Sequence, residues 1–368
     1  MKKNKTANII IIIVFLLIIF LPQLLFWIFG NNEEVSNTEN RVLKSKPKFE
    51  LSNIVDYPKQ FDDYYNDHLP FRNNLRKYWS SINYKLFNTS IDSSVIIGKD
   101  GWLFYRGDNT IEKLTASQKY TEDEKENILN TLKNNINKFK EQNIKTYVMI
   151  APDKENIYSE KLPKSIKKAE NTATEELISY VEENSNINVV YPKKNLLNVK
   201  DKYQLYRKYD THWNTIGALI GTVSLQKEIN NNFDYDVSNI EFEKTDEIDK
   251  RDLSTFINLQ DELFENKINI KNFYDNIECK ENRTDVYEEY ISNSPNNQTV
   301  MFIGDSFRTN MKPTFSKLYK RVVYLHRDKY TYDLIEKIKP DIVVIEAVER
   351  SLYQIGKDLI NTMQSDIK

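Results

Sequence analysis

Cysteine is nearly absent from this sequence: among 368 residues there is one, Cys279. A single thiol excludes an intrachain disulfide and any metal site built on several cysteines. Histidine is almost as scarce, with only His68, His212 and His326 available as a neutral-pH base. An excess of charge is missing too. Lys and Arg number 52 against 54 Asp and Glu, and a net charge of −2 gives no support for nucleic-acid binding. The chain has no Walker loop, no zincin signature and no dinucleotide fingerprint, so no cofactor and no metal are expected. Long apolar runs are absent after the first thirty or so residues; the mean hydropathy of −0.62 describes a polar body with no second membrane span.

The one long apolar run is residues 9–29, interrupted only by Pro22 and Gln23. At about 1.5 Å per residue it is long enough to cross a bilayer. Lys2, Lys3 and Lys5 precede it, and Glu33 and Glu34 follow it. The positive-inside rule then places the N-terminus in the cytoplasm and the body outside. A cleaved signal peptide is the competing reading; the run is long for one, and Phe29-Gly30-Asn31-Asn32 is a poor small-residue cleavage site. The domain reading is therefore a cytoplasmic stub and transmembrane anchor over 1–30, a polar tether over 31–55, and an extracellular domain over 56–368.

Within that domain, aromatic residues at helical spacing predict helices over 57–66 and 73–87, with Asp67-His68 between them as a hydrogen-bonded structural motif with Arg72. Lys99-Asp100-Gly101 between two apolar runs is a hairpin signal. An α/β alternation follows. Helices are expected over 122–142, with Thr121 as N-cap, and over 172–184, 215–229, 312–319 and 331–337. Short apolar strands are expected over 146–150, 188–191, 299–303, 321–325 and 341–345. Alternation of this kind predicts an α/β fold, a mostly parallel sheet flanked by helices. Residues 231–298 are polar and without period, and read as an insertion.

Two motifs carry the chemistry. Asp210-Thr211-His212-Trp213 supplies a carboxylate two residues before an imidazole, and Gly304-Asp305-Ser306-Phe307 places a serine where the strand Val300-Met301-Phe302-Ile303 runs into a turn. A serine hydroxyl becomes a nucleophile when a base takes its proton, and a carboxylate on the far side of the imidazole fixes the tautomer and stabilises the imidazolium. Each motif alone more often marks an ordinary turn or a structural histidine. Together, at strand ends of one sheet, they make Ser306, His212 and Asp210 a catalytic triad, with the Ser306 backbone N–H as an oxyanion donor. Lys154, Asn156 and Arg308 are candidates for binding substrate or stabilising an oxyanion. Trp213 and Asn214 complete the candidate set, although Asn214 is equally a helix N-cap. Asp305 reads as a turn-maker, and Glu346 and Arg350, beyond the last strand, are placed to contact each other.

With these motifs in view, the chain resembles the SGNH-hydrolase-like domain of the alginate O-acetylation proteins AlgJ and AlgX. It also resembles the bacterial family named for a DHHW motif, with Thr211 here in the second position. Glu39-Asn40-Arg41 with Pro47, Asp67-His68-Leu69-Pro70-Phe71-Arg72, the run from Gly98 to Tyr105, Ala151-Pro152-Asp153-Lys154 through Tyr158, and Glu346 to Arg350 agree in order. Asp and His precede Ser, as in that group and unlike the ordinary SGNH order. The resemblance implies an SGNH-hydrolase-like fold, the triad named above, and O-acetylation of an exported polysaccharide. It also implies a multispanning membrane O-acyltransferase as the partner that delivers acetyl groups. The 23 tyrosines would suit stacking against sugar rings. Two other classes use the same residues or the same fold: an extracellular deacetylase with this triad, and a non-catalytic scaffold that binds polysaccharide or an envelope assembly.

Overall fold

The computed structural model describes residues 5–29, 43–69, 72–331, 333–353 and 355. The expected motifs Glu39-Asn40-Arg41 and Pro70-Phe71 lie outside these residues, as do residues 31–42 of the tether. The chain divides into two compact units, one of Met1–Asp92 with Ser254–Glu262 and one of Ser93–Leu253 with Leu263–Lys368. Sequence analysis put residues 56–92 with the α/β body, whereas their contacts group them with the N-terminal unit.

The first unit is helical. An apolar helix, Lys5–Phe29, has the length and composition of a membrane span. Its Phe26 packs edge-on against Tyr64 and Tyr65 of helix Tyr57–Asp67, at centroid distances of 6.2 and 4.7 Å. His68 closes that helix with its Nδ1 at 2.9 Å from the Tyr64 carbonyl, and the Asp67 carboxylate accepts from the Lys44 N–H at 2.9 Å, so both are structural. Helix Arg72–Ile82 continues as a π-turn over Asn83–Phe87. The distant segment joins through Asn258, whose amide donates to the Asn73 carbonyl at 2.8 Å, and through the pairs Lys77–Asp261 and Lys85–Glu262.

The second unit is the α/β body. Its strands, in chain order, are β1 (Val95–Ile97), β2 (Leu103–Tyr105), β3 (Lys145–Ala151), β4 (Val189–Val190), β5 (Phe242–Ile248), β6 (Asn266–Ile270), β7 (Cys279–Arg283), β8 (Tyr287–Ser292), β9 (Thr299–Gly304), β10 (Arg321–His326) and β11 (Ile342–Val348). The main sheet has seven strands in the order β4-β3-β11-β9-β10-β8-β7. From β4 to β10 the neighbours are parallel, and β8 and β7 add an antiparallel edge. β1 and β2 form the expected hairpin, turned at Asp100 and Gly101, both with positive φ.

The central strands are apolar on both sides because helices cover both faces. Successive side chains alternate: Val300, Phe302, Val322, Tyr324, Ile342 and Val344 pack with Leu219, Ile220 and Val223 of helix Thr215–Ile229. Their neighbours Met301, Ile303, Val323, Leu325, Val343 and Ile345 pack on the other face with Phe139 and with Leu334, Ile335 and Ile338 of helix Asp333–Ile338. Helices Glu122–Glu141 and Ala173–Glu183 are each opened by a capping box, at Thr121 and Thr172, and cover β3 through Ile128, Leu132, Leu177 and Val181.

The polar stretch 231–298, read as an insertion, supplies the β5–β6 hairpin, the antiparallel strands β7 and β8 of the main sheet, and helix Asp252–Phe256. β11 also runs three residues beyond the expected strand end at 345, which places Glu346 inside the sheet rather than after it.

Candidate active site

β9 delivers the serine. The strand ends at Gly304, and Asp305 caps the 3₁₀ turn Ser306–Asn310, its Oδ1 accepting from the Phe307 N–H at 2.9 Å. Its other oxygen accepts from the Val348 N–H at 2.8 Å, which ties the turn to β11. Asp305 is thus the turn-maker read from the sequence. A Cβ on Gly304 would sit 2.3 Å from Glu346 Oε2, the oxygen that accepts the Asp305 N–H at 3.0 Å, so only glycine leaves room for this link. Asp305 and Phe307 are buried while Ser306 between them is exposed. Ser306 opens the turn, so its N–H has no acceptor within the helix.

The imidazole of His212 arrives from a loop folded back on itself. Tyr206 bridges to Trp213, and the Asn214 N–H donates to the Leu205 carbonyl at 2.9 Å. Lys154, fully buried, points its amine into the bend, at 2.7 Å from the Asp210 carbonyl and 3.2 Å from that of Arg207. Burial holds this amine down to about 8, against the charges of Glu155, Asp252 and Asp210. Arg207 braces the same loop, donating to the Trp213 carbonyl and pairing with Asp249 at 2.7 Å.

These two elements meet in a continuous hydrogen-bonded line. His212 Nε2 lies 2.7 Å from Ser306 Oγ, and His212 Nδ1 lies 2.7 Å from Asp210 Oδ1. The same Oδ1 accepts from the His212 backbone N–H at 2.9 Å. Asp210 is buried, which would raise its pKa, but the hydrogen bond and charge of His212 and the charge of Arg207 outweigh burial and hold the carboxyl below its ordinary range. The imidazole also packs on the Phe307 ring, at 4.8 Å between centroids.

The other sequence candidates each make at least one hydrogen bond within the protein. Trp213 is fully buried and its Nε1 donates to the Phe307 carbonyl at 2.9 Å, fastening the base's loop to the serine's turn. Asn214 caps helix Thr215–Ile229, accepting from the N–H groups of Ile216 and Gly217 at 2.9 and 3.0 Å. Arg308 is buried and donates to the carbonyls of Gly304 and Asp305. Asn156 donates to Tyr191 Oη at 2.8 Å and Glu349 Oε1 at 2.9 Å. Lys154 is spent on carbonyls, as above. Arg350 does not meet Glu346, because Glu346 is drawn to the Asp305 N–H while Arg350 pairs with Asp153.

One residue went unseen in the sequence. Asp252 accepts from the Thr211 N–H at 2.8 Å and from the Thr211 hydroxyl at 2.6 Å, and its own N–H donates to Asp210 Oδ2 at 2.9 Å. Its carboxylate lies 3.8 Å from His212 Nδ1. Burial and the charge of Asp210 raise its pKa. Nothing marks it in sequence, since it stands 42 positions after Asp210 in a polar stretch without period. Asp210, His212 and Asp252 offer one ligand atom each within 4.8 Å of one another, and Asp210 Oδ1 and His212 Nδ1 of that group share a hydrogen bond.

Fold and site together define a class: an SGNH-type α/β protein with serine, histidine and aspartate aligned at the C-terminal edge of its sheet. The chain belongs to the AlgX family of SGNH hydrolase-like acetyltransferase domains, whose model matches residues 95–324. Among solved structures, the chain is similar to PatB1 of Bacillus cereus, solved with a sulfonyl adduct, at 16% identity over 72% of this chain and 97% of that one, TM-score 0.52. It is similar to a DHHW family protein of Eubacterium siraeum at 12% identity over 72% and 94%, TM-score 0.50. The O-acetyltransferase domain of Pseudomonas putida AlgJ stands at 17% identity over 71% and 92%, TM-score 0.49. No curated protein sequence matches the chain.

Proposed function

We propose that this chain is a membrane-anchored extracellular O-acetyltransferase that moves acetyl groups onto a cell-surface or exported polysaccharide through an acetyl-Ser306 intermediate. The observation that carries the reading is the unbroken line from Asp210 through His212 to an exposed Ser306, at 2.7 Å per step. Membership of the AlgX family supplies the acyl group and the class of acceptor.

In the first half-reaction His212 Nε2 takes the Ser306 proton as Oγ adds to the acetyl carbonyl. Asp210 stabilises the imidazolium, and the developing oxyanion takes the Ser306 N–H. One such donor is worth about 3–4 kcal/mol of barrier. The imidazolium returns its proton to the leaving oxygen of the donor, and acetyl-Ser306 remains. In the second half-reaction a sugar hydroxyl gives its proton to His212 and takes the acetyl group, restoring Ser306. The donor partner that fits is a multispanning membrane O-acyltransferase. The apolar helix Lys5–Phe29 supports the anchor. So does an exposed stripe of Leu75, Tyr78, Trp79 and Ile82, at helical spacing in the same unit.

The test is Ser306→Ala beside wild type with p-nitrophenyl acetate and oligosaccharide acceptors, read by mass spectrometry. We expect acetylation of the Ser306 peptide and of the sugar in wild type, and a loss of about 10³-fold or more in the variant. Acetate release that no sugar diverts would make the chain an esterase. Acetylation equal in both proteins would remove Ser306 from the mechanism.

A further inference from the structure

A polar cavity opens in the α/β body, with a volume of about 290 Å³. Its walls include Lys113, Tyr120, Asn127 and Tyr353. The walls come from the segment after β2, from the N-terminal half of helix Glu122–Glu141, and from the turn after β11. That helix ends close before β3 begins, so its first turns lie at the C-terminal edge of the sheet, the edge that carries Ser306 on β9.

Two groups in this cavity keep hydrogen-bonding capacity in hand. The Tyr120 side chain is buried at 7% exposure, and its hydroxyl has no hydrogen-bond partner among the described residues. A buried hydroxyl without a partner is costly, and such groups in native structures usually await a water or a ligand. Lys113 holds its ammonium between two tyrosine rings, 5.4 Å from the centroid of Tyr120 and 5.3 Å from that of Tyr353. The one acceptor the ammonium has among the described residues is the Arg350 carbonyl, at 3.2 Å. An ammonium carries three donors, so this one keeps hydrogens for an acceptor in the cavity.

The cavity is linked to the serine through a single residue. Arg350 gives its carbonyl to Lys113, while its guanidinium lies 5.2 Å from the ring of Phe307, the residue after Ser306, and 5.4 Å from that of Tyr105. Tyr105 in turn reaches Asp108 on the cavity wall. Amides, a carboxylate, tyrosine rings and an ammonium around a space of this size suit a molecule dense in hydroxyls and too polar for an apolar slot.

We infer that this cavity is a saccharide subsite, which holds one sugar unit of the acceptor chain while a neighbouring unit reaches Ser306. The inference rests on the acetyltransferase reading for the word acceptor, but not for the binding itself. Lys113 and the Tyr120 hydroxyl are its positioning groups, and neither takes part in acyl transfer.

The test separates the two. Chitopentaose, cellopentaose and a polymannuronate pentamer are titrated onto full-length Ser306→Ala protein in detergent micelles and followed by saturation-transfer NMR. At least one should bind, and Lys113→Ala and Tyr120→Phe placed on that background should each weaken it by about tenfold. In the Ser306 protein the same two substitutions should raise the half-saturating acceptor concentration similarly, while acylation by p-nitrophenyl acetate stays at the wild-type rate. Tyr120→Phe removes one oxygen and keeps the ring, so it answers even if Lys113→Ala disturbs folding. Binding of no pentasaccharide, or binding indifferent to both substitutions, overturns the subsite. Retained, substitution-sensitive binding in a protein whose Ser306 never acylates would keep the subsite and discard the transferase.

Discussion

Asp252 makes the sharpest case at the scale of single residues. It holds the Thr211 N–H and hydroxyl and places a carboxylate 3.8 Å from the imidazole. Asp252→Asn keeps an acceptor for Thr211 and removes the negative charge. We expect kcat for acyl transfer to fall about tenfold, as befits one charge-assisted interaction. A rate equal to wild type would make Asp252 a scaffold for Thr211 alone. Lys154 makes the complementary case. Lys154→Met strands the carbonyls of Asp210 and Arg207 in a buried bend, at about 1–3 kcal/mol for each polar group left without a partner. Thermal unfolding should register that loss, and a melting temperature equal to wild type would contradict it. Sequence pointed to Lys154, but what it does depends on carbonyls some fifty residues away, which no local pattern reveals.

Elements explain where sequence reading succeeded and where it stopped. β9, β10 and β11 are buried on both faces, so each is written as an apolar run and each was legible. β7, the edge strand, is largely exposed and charged, and its neighbour β8 is half-buried and mixes Glu with Tyr, so neither carries such a run. Their strand character comes from pairing, β8 with β10 and β7 with β8, a tertiary cause. The stretch 231–298 looked structureless for the same reason, and Asp252 was hidden with it. Helix Thr215–Ile229 was readable to its ends because Asn214 caps it and its body is apolar. Its glycines were less so: a Cβ on Gly221 would lie 2.9 Å from the Trp213 ring and 3.1 Å from the Met149 side chain. Gly221→Ala should therefore loosen the seat of Trp213 and, through the Trp213–Phe307 hydrogen bond, the turn of Ser306. We expect a lower melting temperature together with slower acylation by p-nitrophenyl acetate. Loss of stability with the acylation rate intact would show that Trp213 does not couple the two.

At the scale of the whole molecule, stability should depend on a cluster of buried carboxyls. Glu155 and Glu349 are each pushed up to about 7, first by burial and then by the charge of Asp153. A carboxyl whose folded value exceeds its unfolded one binds more protons when folded, so its contribution is fully present below about 4.5 and is lost as the pH rises through 7. The melting temperature should accordingly decline between pH 5 and 8. Asp210 acts with the opposite sign, but its window lies below its ordinary value and leaves this range untouched. Glu155→Gln, which keeps the acceptor that binds the Tyr105 N–H at 2.7 Å, should flatten the decline. A profile as steep as wild type would place the titration elsewhere.

The first unit has a schedule as well as a structure. Its helices belong to the first 92 residues, yet the segment that completes it, Ser254–Glu262, is made only after the α/β strands β1 to β5 and the whole loop of the base. At roughly 5–20 residues per second, that interval lasts about 10–30 s. Throughout it the Asn73 carbonyl lacks the amide of Asn258, and Lys77 and Lys85 lack Asp261 and Glu262. The residue just ahead of that segment's start is Leu253, whose neighbour Asp252 touches the loop of His212, so one short stretch of chain both ends the wait of the N-terminal helices and sets a carboxylate beside His212, while Ser306 is still to come.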